Sequence, residues 1–278
     1  MTTNQQSNTP YNSIVDITPD LAGKWLEGNT HNRPLTQAVA ERFARDIQAN
    51  RWRLTHQGIA FDKSGVLIDG QHRLWAVVLS GITVPMRVFF NEPLENMEAV
   101  DTGTIRTNLH VLDLTGQAGE VTSHHLATLR ALIAGYASCT PRMTVGEEAE
   151  LLVKHRSAVD FAIKHLGGSH FKGVATALTR SVVARAYYSV DHARLIRFCD
   201  VLKSGTATDQ EDNPIALLWQ FLVGAAPTSN ARGMRRIRYA KIERALLAFL
   251  RREQISCLRA MDSELFPLPE EIARGAAA

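Results

Sequence analysis

The alternation of apolar and polar positions divides this chain into two regimes. Up to about residue 114, short apolar runs alternate with amphipathic stretches, whereas beyond about residue 119 nearly every stretch repeats at the helical period. In the first regime Gly58-Ile59-Ala60-Phe61, Val66-Leu67-Ile68 and Val84-Pro85-Met86-Arg87-Val88-Phe89 predict strands. Asp62-Lys63-Ser64-Gly65 supplies turn chemistry between the first two. Gln71–Leu79, stopped by Ser80-Gly81, predicts a helix, and so does Thr36–Ala49, where Val39, Phe43 and Ile47 recur at helical spacing and Ala40 and Ala44 widen the stripe. A short helix is expected to open at Glu92-Pro93, because proline suits a first helical turn. In the second regime Val121–Ser138, Thr144–Leu166, Lys172–Ser189, Asp191–Lys203, Asn213–Gly224 and Met234–Arg252 predict helices. Thr144 with Glu147 makes a capping-box pattern. The shift at Leu114-Thr115-Gly116-Gln117-Ala118-Gly119 predicts an α/β domain over 14–114 and an all-α domain over 119–274. No internal repeat and no coiled-coil heptad run is visible.

Composition narrows the class. A chain of 278 residues accommodates about two domains, and a hydrophobic share of 45% is enough to fill their cores. Residues 1–13 begin with a Thr-, Asn-, Gln- and Ser-rich stretch poor in apolar anchors, which predicts disorder, and Gly275–Ala278 reads as a tail. No apolar run reaches the ~18 residues of a membrane span and no signal peptide is recognisable. Three scattered cysteines, an odd number without metal-ligand spacing, point to a reducing cytoplasm and no disulfide frame. His124 and His125 are adjacent, so on a helix they diverge by about 100° and do not face one metal; no metal site is expected.

The densest chemistry lies where the apolar run Val66-Leu67-Ile68 breaks at Asp69-Gly70 and passes into the helix that begins Gln71-His72-Arg73. The first N–H groups of a helix have no internal partners, and the helix dipole makes that end mildly positive. Gly70 lets the backbone approach a ligand closely, and Arg73 carries a planar fork of donors suited to phosphate oxygens. Strand, glycine, helix N-terminus and arginine together form an anion site. The same residues also have a plain structural reading, with Asp69 as a cap, Gly70 in a tight turn, His72 a surface histidine and Arg73 an ion-pair partner.

With its flanks, Gly70-Gln71-His72-Arg73 resembles the motif of the ParB/sulfiredoxin superfamily, in which a strand ending in Gly-Glu-Arg-Arg (ParB) or Gly-Cys-His-Arg (sulfiredoxin) enters a helix and binds a nucleoside triphosphate. Trp75-Ala76, Ser80-Gly81 and Val84-Pro85 continue the likeness. Asn32-Arg33-Pro34-Leu35 looks like the first ParB box, whose arginine lies near the nucleotide. The likeness covers roughly residues 14–110, and the pentapeptide from Asp69 to Arg73 is also that of the "DGQHR" proteins of phages, plasmids and DNA-modification islands. The resemblance implies a ParB/sulfiredoxin-like α/β domain that binds a nucleoside triphosphate, with Mg²⁺, through Arg33, Gly70, Gln71, His72 and Arg73. Two departures limit it. Sulfiredoxin needs a cysteine where this chain has Gln71, and without a thiolate that redox chemistry has no nucleophile. ParB places a hydrolysis-linked glutamate there, and glutamine is neither a base nor a full-charge Mg²⁺ ligand.

Val100-Asp101-Thr102-Gly103-Thr104-Ile105-Arg106-Thr107 is a second constellation, rich in phosphate and metal ligands but equally explicable as a capped turn. Similar loops recur downstream of the motif in phage-type proteins, which adds Thr102 and Arg106 to the expected nucleotide contacts. An aspartic-protease reading of Asp101-Thr102-Gly103 fails for want of a second such loop or the hydrophobic strands around it.

The segment from Arg232 to Arg252 carries one acid, Glu243, among many cations although the net charge is only +3. A basic helix suits a nucleic-acid backbone; equally, it can be the solvated face of a helix that buries Ile242, Leu246, Phe249 and Leu250. Arg235, Arg236, Arg238 and Lys241 are the candidate DNA contacts. No ParB-type helix-turn-helix is readable in 120–190. Two functions follow. The first is a nucleotide-binding ParB-like protein associated with DNA, and the second a nucleotide hydrolase or phosphotransferase with Asp69, His72 or Asp101 as base. No paired acids support a nuclease, and a homodimer stays open.

Overall fold

The computed structural model describes residues 9–29, 34–94, 96, 106–116, 118–168, 171–224 and 232–271. The chain forms two compact units, Met1–Asn108 with Arg142–Glu147, and Leu109–Pro141 with Glu148–Ala278. The division falls several residues before the expected 114–119 boundary. Arg142–Glu147 joins the first unit because Thr144 Oγ1 donates to Asp46 at 2.8 Å and Arg45 Nε pairs with Glu147 at 2.7 Å. Thr144 and Glu147 form the expected box: each backbone N–H donates to the other's side chain, at 2.7 and 3.1 Å.

The first unit is a four-stranded mixed sheet in the order β1-β4-β2-β3, with helices α1 (Pro19–Glu27), α2 (Gln37–Gln48) and α3 (Gln71–Ser80). Strand β4 (Val84–Glu92) runs antiparallel to β1 (Tyr11–Ile17) and parallel to β2 (Ile59–Asp62); β3 (Leu67–Asp69) is antiparallel to β2. The period-two pattern puts Val84, Met86 and Val88 on one face, where they join Ile17, Ile59, Leu67, Ala44, Ile47, Leu74 and Val77 in a single core. Disorder was expected through residue 13, but Tyr11, Asn12 and Ser13 pair with Phe90, Phe89 and Val88. An Arg87–Asn12 hydrogen bond of 2.7 Å and stacking of Tyr11 on Phe90 hold that strand start down.

The regular elements described in the second unit are all helices: α4 (Asn108–Thr115) but for its first residue, α5 (Ser123–Ala134), most of α6 (Val145–Leu166), α7 (Ala177–Ala186), α8 (His192–Ser204), a 3₁₀ turn at Gln210–Asp212, α9 (Asn213–Gly224) and α10 (Arg232–Leu250), followed by a stretch at 251–268 without helix or strand. Helix α10 packs against α7, α8 and α9 and buries Tyr239, Ile242, Leu246 and Phe249. Arg185 is wholly buried; its guanidinium is answered by the Leu132 and Phe266 carbonyls and by Glu264 and Glu271. Burying a charge is tolerable only with such complete pairing. Among the described residues no helix is long and apolar enough to cross a membrane. A small mixed α/β sheet domain joined to a helical part matches the coarse architecture expected from the sequence.

Candidate functional site

Backbone geometry at Gly70 decides the shape of the site. Gly70 caps α3 with φ 100°, a conformation L side chains rarely adopt, and a Cβ there would lie 3.0 Å from Ile59. A Cβ on Gly58 would lie 1.9 Å from the Arg87 carbonyl oxygen. These two glycines let the end of β3, the approach to β2 and strand β4 crowd together beneath the first turn of α3.

The side chains of that turn divide their work. Gln71 is buried, and its Oε1 accepts from Asn29 Nδ2 at 3.1 Å, tying α3 to the end of α1. His72 Nε2 accepts from the backbone N–H of Thr36 at 3.1 Å. An accepting Nε2 carries no proton, so the ring is neutral in this arrangement with its proton on Nδ1. Thr36 is the N-cap of α2, so this bond brings the N-termini of α2 and α3 together. Arg73 is largely buried; it donates to the Gly58 carbonyl at 3.0 Å and to Gln57 Oε1 at 2.9 Å. Both partners are neutral, and the carboxylate beside it, Asp69 Oδ2, stands 3.8 Å from Nη1. Asp69 is half exposed, and its Oδ1 accepts from the Gly70 N–H at 2.6 Å.

The N-cap residues of α2 and α3, Thr36 and Gly70, make no side-chain cap bond of their own, and neither helix carries an acidic residue in its first turn, although Asp69 precedes α3. Helix α1, by contrast, is capped by Thr18 and carries Asp20 in its first turn. Two positive helix ends therefore converge beside an arginine whose charge no carboxylate among the described residues matches at hydrogen-bond distance.

Of the residues singled out in the sequence, Asp69, Gly70, Gln71, His72 and Arg73 come together here, although Gln71 is turned to an interhelical bond rather than outward. Arg33, Asp101 and Thr102 lie outside the described residues, as does most of the helix expected after Glu92-Pro93. Arg106 is exposed, and no hydrogen bond among the described residues joins it to the turn. Asn29, Thr36, Gln57 and Gly58 were missed. Only Thr36, as a capping residue type before an amphipathic helix, left any sequence signal. No cluster of three His, Cys, Asp or Glu side chains among the described residues is arranged to hold a metal ion. Cys199 is buried, which pushes its thiol up to about 12, away from thiolate chemistry.

The basic helix departs from a free cationic face. Arg235 donates to the carbonyls of Ala131, Gly135 and Ala137 at the C-terminal end of α5, where a cation complements the helix dipole. The Arg236 guanidinium lies 4.1 Å over the Tyr136 ring, and Lys241 Nζ lies 4.1 Å over the Phe221 ring. Arg238 is half-buried.

A cavity of about 520 Å³ opens elsewhere, at the far end of the β2–β3 hairpin, and includes none of residues 69–73. Its aromatic walls are Tyr11, Trp25, Phe61 and Phe90. No family model matches the chain, and no curated protein and no solved structure matches it.

Proposed function

We propose that the chain is a ParB-like protein that binds a nucleoside triphosphate through the turn from Asp69 to Arg73, and that it works in association with DNA. The observation that supports this reading is the meeting of two helix N-termini whose own N-cap residues make no side-chain cap bond, bridged by the His72–Thr36 bond, beside Arg73, which donates to neutral groups and stands 3.8 Å from the half-exposed Asp69 carboxylate. Such an arrangement suits a multiply charged anion, because helix N–H groups and dipoles favour negative charge and guanidinium matches phosphate oxygens. The described residues build no metal cage, so Mg²⁺ would arrive with the phosphates, and Asp69 is the carboxylate at hand for it. With glutamine at position 71 the turn carries no base where ParB has one, which favours binding over rapid turnover. The helical unit would supply the DNA contact through Arg236, Arg238 and Lys241, since Arg235 is committed to α5.

One observation favours a second reading, a hydrolase or phosphotransferase. The half-exposed carboxylate of Asp69 borders the same turn, where a base would stand beside a bound phosphate. Calorimetric titration with ATP, CTP, GTP and UTP, with and without Mg²⁺, tests the shared premise. Saturable binding of at least one triphosphate is expected; no heat with any of the four would overturn both readings. Asp69→Asn then separates them, because loss of turnover with binding intact marks the carboxylate as a base.

A further inference from the structure

The cavity at the far end of the β2–β3 hairpin has two unlike walls. One is a row of rings: Tyr11 stacks on Phe90 at 5.0 Å and 21°, Phe90 stacks on Phe61 at 5.9 Å and 12°, and Trp25 meets Phe61 edge-on at 5.0 Å. The row starts at a ring that is 53% exposed, Tyr11, and ends in the core at Phe61. Nearly parallel rings that run from core to surface leave a flat face where another planar ring extends the stack.

The other wall is the turn Asp62-Lys63-Ser64-Gly65. Asp62 Oδ1 accepts from the N–H groups of Ser64 and Val66 at 2.8 Å each, and Ser64 Oγ donates to the same carboxylate at 2.8 Å. Burial opposes ionisation of Asp62, but these donors outweigh it and hold the carboxyl below its ordinary range. The carboxylate is thus committed to fixing the turn. Lys63, exposed and without an ion pair among the described residues, is the cation this rigid turn presents.

We infer that this cavity is a nucleobase-binding subsite, distinct from the Gly70 turn, that stacks a planar heteroaromatic ring on the Tyr11–Phe90–Phe61 row and meets its phosphate with Lys63. A volume of about 520 Å³ accommodates such a ring with its sugar. Stacking on aromatic side chains beside a cation is how proteins hold bases without reading their sequence. The same chemistry comes from a free nucleotide or from a base of a single strand. The site lies within the first unit but shares no residue with the turn from Asp69 to Arg73, so it stands whether or not that turn binds a triphosphate.

The test uses the full chain with two probes, adenosine 5′-monophosphate and a ten-nucleotide single-stranded oligothymidylate, titrated by calorimetry. Tyr11→Ala should weaken binding by about tenfold, the scale of one base–aromatic stack removed, and Tyr11→Phe should restore it. Lys63→Gln should weaken binding and reduce its salt dependence, and its exposed position leaves folding untouched. Binding of the monophosphate alone identifies a free nucleotide as the source, and much tighter binding of the oligomer identifies a single strand. Failure of the wild-type chain to bind either probe at millimolar concentration overturns the inference. So does wild-type affinity in Lys63→Gln together with Tyr11→Ala where the latter folds.

Discussion

Arg73 is fixed by a carbonyl and an amide, and neither cancels its charge. Single atoms decide the site at this scale, so single substitutions test it. Gly70→Ala forces a left-handed conformation on a residue with a Cβ and presses that Cβ to 3.0 Å from Ile59. A loss of at least about 1–2 kcal/mol of stability is expected from the backbone alone, measured by denaturant unfolding; an unchanged midpoint would mean the turn relaxes freely. Gln71→Glu keeps the Asn29 bond, because a carboxylate oxygen accepts as the amide oxygen does, but it brings a charge into a buried position and should lower stability. Because position 71 is buried and turned toward Asn29 rather than outward, this variant should leave the slow hydrolysis of a bound triphosphate unchanged. A faster rate than that of the wild type would show that position 71 turns toward the phosphates.

Helix α10 shows how one element divides its cations between packing and solvent. Arg235 serves the α5 C-terminus, so Arg235→Glu should lower the melting temperature whatever the protein binds. Arg236→Glu with Lys241→Glu removes the cations lying over Tyr136 and Phe221 and should leave the fold standing. In that double variant DNA affinity should fall, and the slope of log K against log salt should flatten by about 2, one step for each phosphate no longer neutralised. DNA binding indifferent to both charges and to salt would remove this helix from the interface. The helices were legible because their apolar period is long and sustained; α9 has the predicted bounds. Helix α7 begins five residues later than expected, because Thr176 adopts extended angles and accepts from the Thr179 N–H as N-cap. Strand β1 was not legible. Its inward positions Tyr11, Ser13, Val15 and Ile17 include one wholly buried side chain, since β1 lies at the sheet edge. The glycine, histidine and arginine of the site were readable as a motif. Their partners Asn29 and Thr36 stand 42 and 36 residues away from Gln71 and His72, a pairing that no local pattern encodes.

Over the whole molecule, pH acts on stability through opposing groups. Burial, with Glu264 nearby, pushes Glu243 up to about 7, against donation from the Leu265 and Phe266 N–H groups and the charge of Arg185. Its second oxygen is buried without a partner among the described residues. A carboxyl raised in the folded state contributes stability that is complete below its unfolded value near 4.5 and is lost as pH rises through about 7. Burial holds His125, His155 and His165 low instead, so their contribution is present above about 6.5 and is lost as the solution acidifies. Glu243→Gln should therefore stabilise the chain at pH 8, by up to about 3 kcal/mol, and by little at pH 4; an equal effect at both would contradict a protonated Glu243. Nucleotide binding is the property of the whole chain on which the proposed function depends. Its most direct test is calorimetric triphosphate affinity in the wild type, Arg73→Ala and Arg73→Lys. Saturable binding that weakens by about 1.5–3 kcal/mol in Arg73→Ala, and is only partly restored in Arg73→Lys because a point charge cannot form the planar fork, is the predicted result. Equal affinity in all three proteins, or no binding in the wild type, would contradict it.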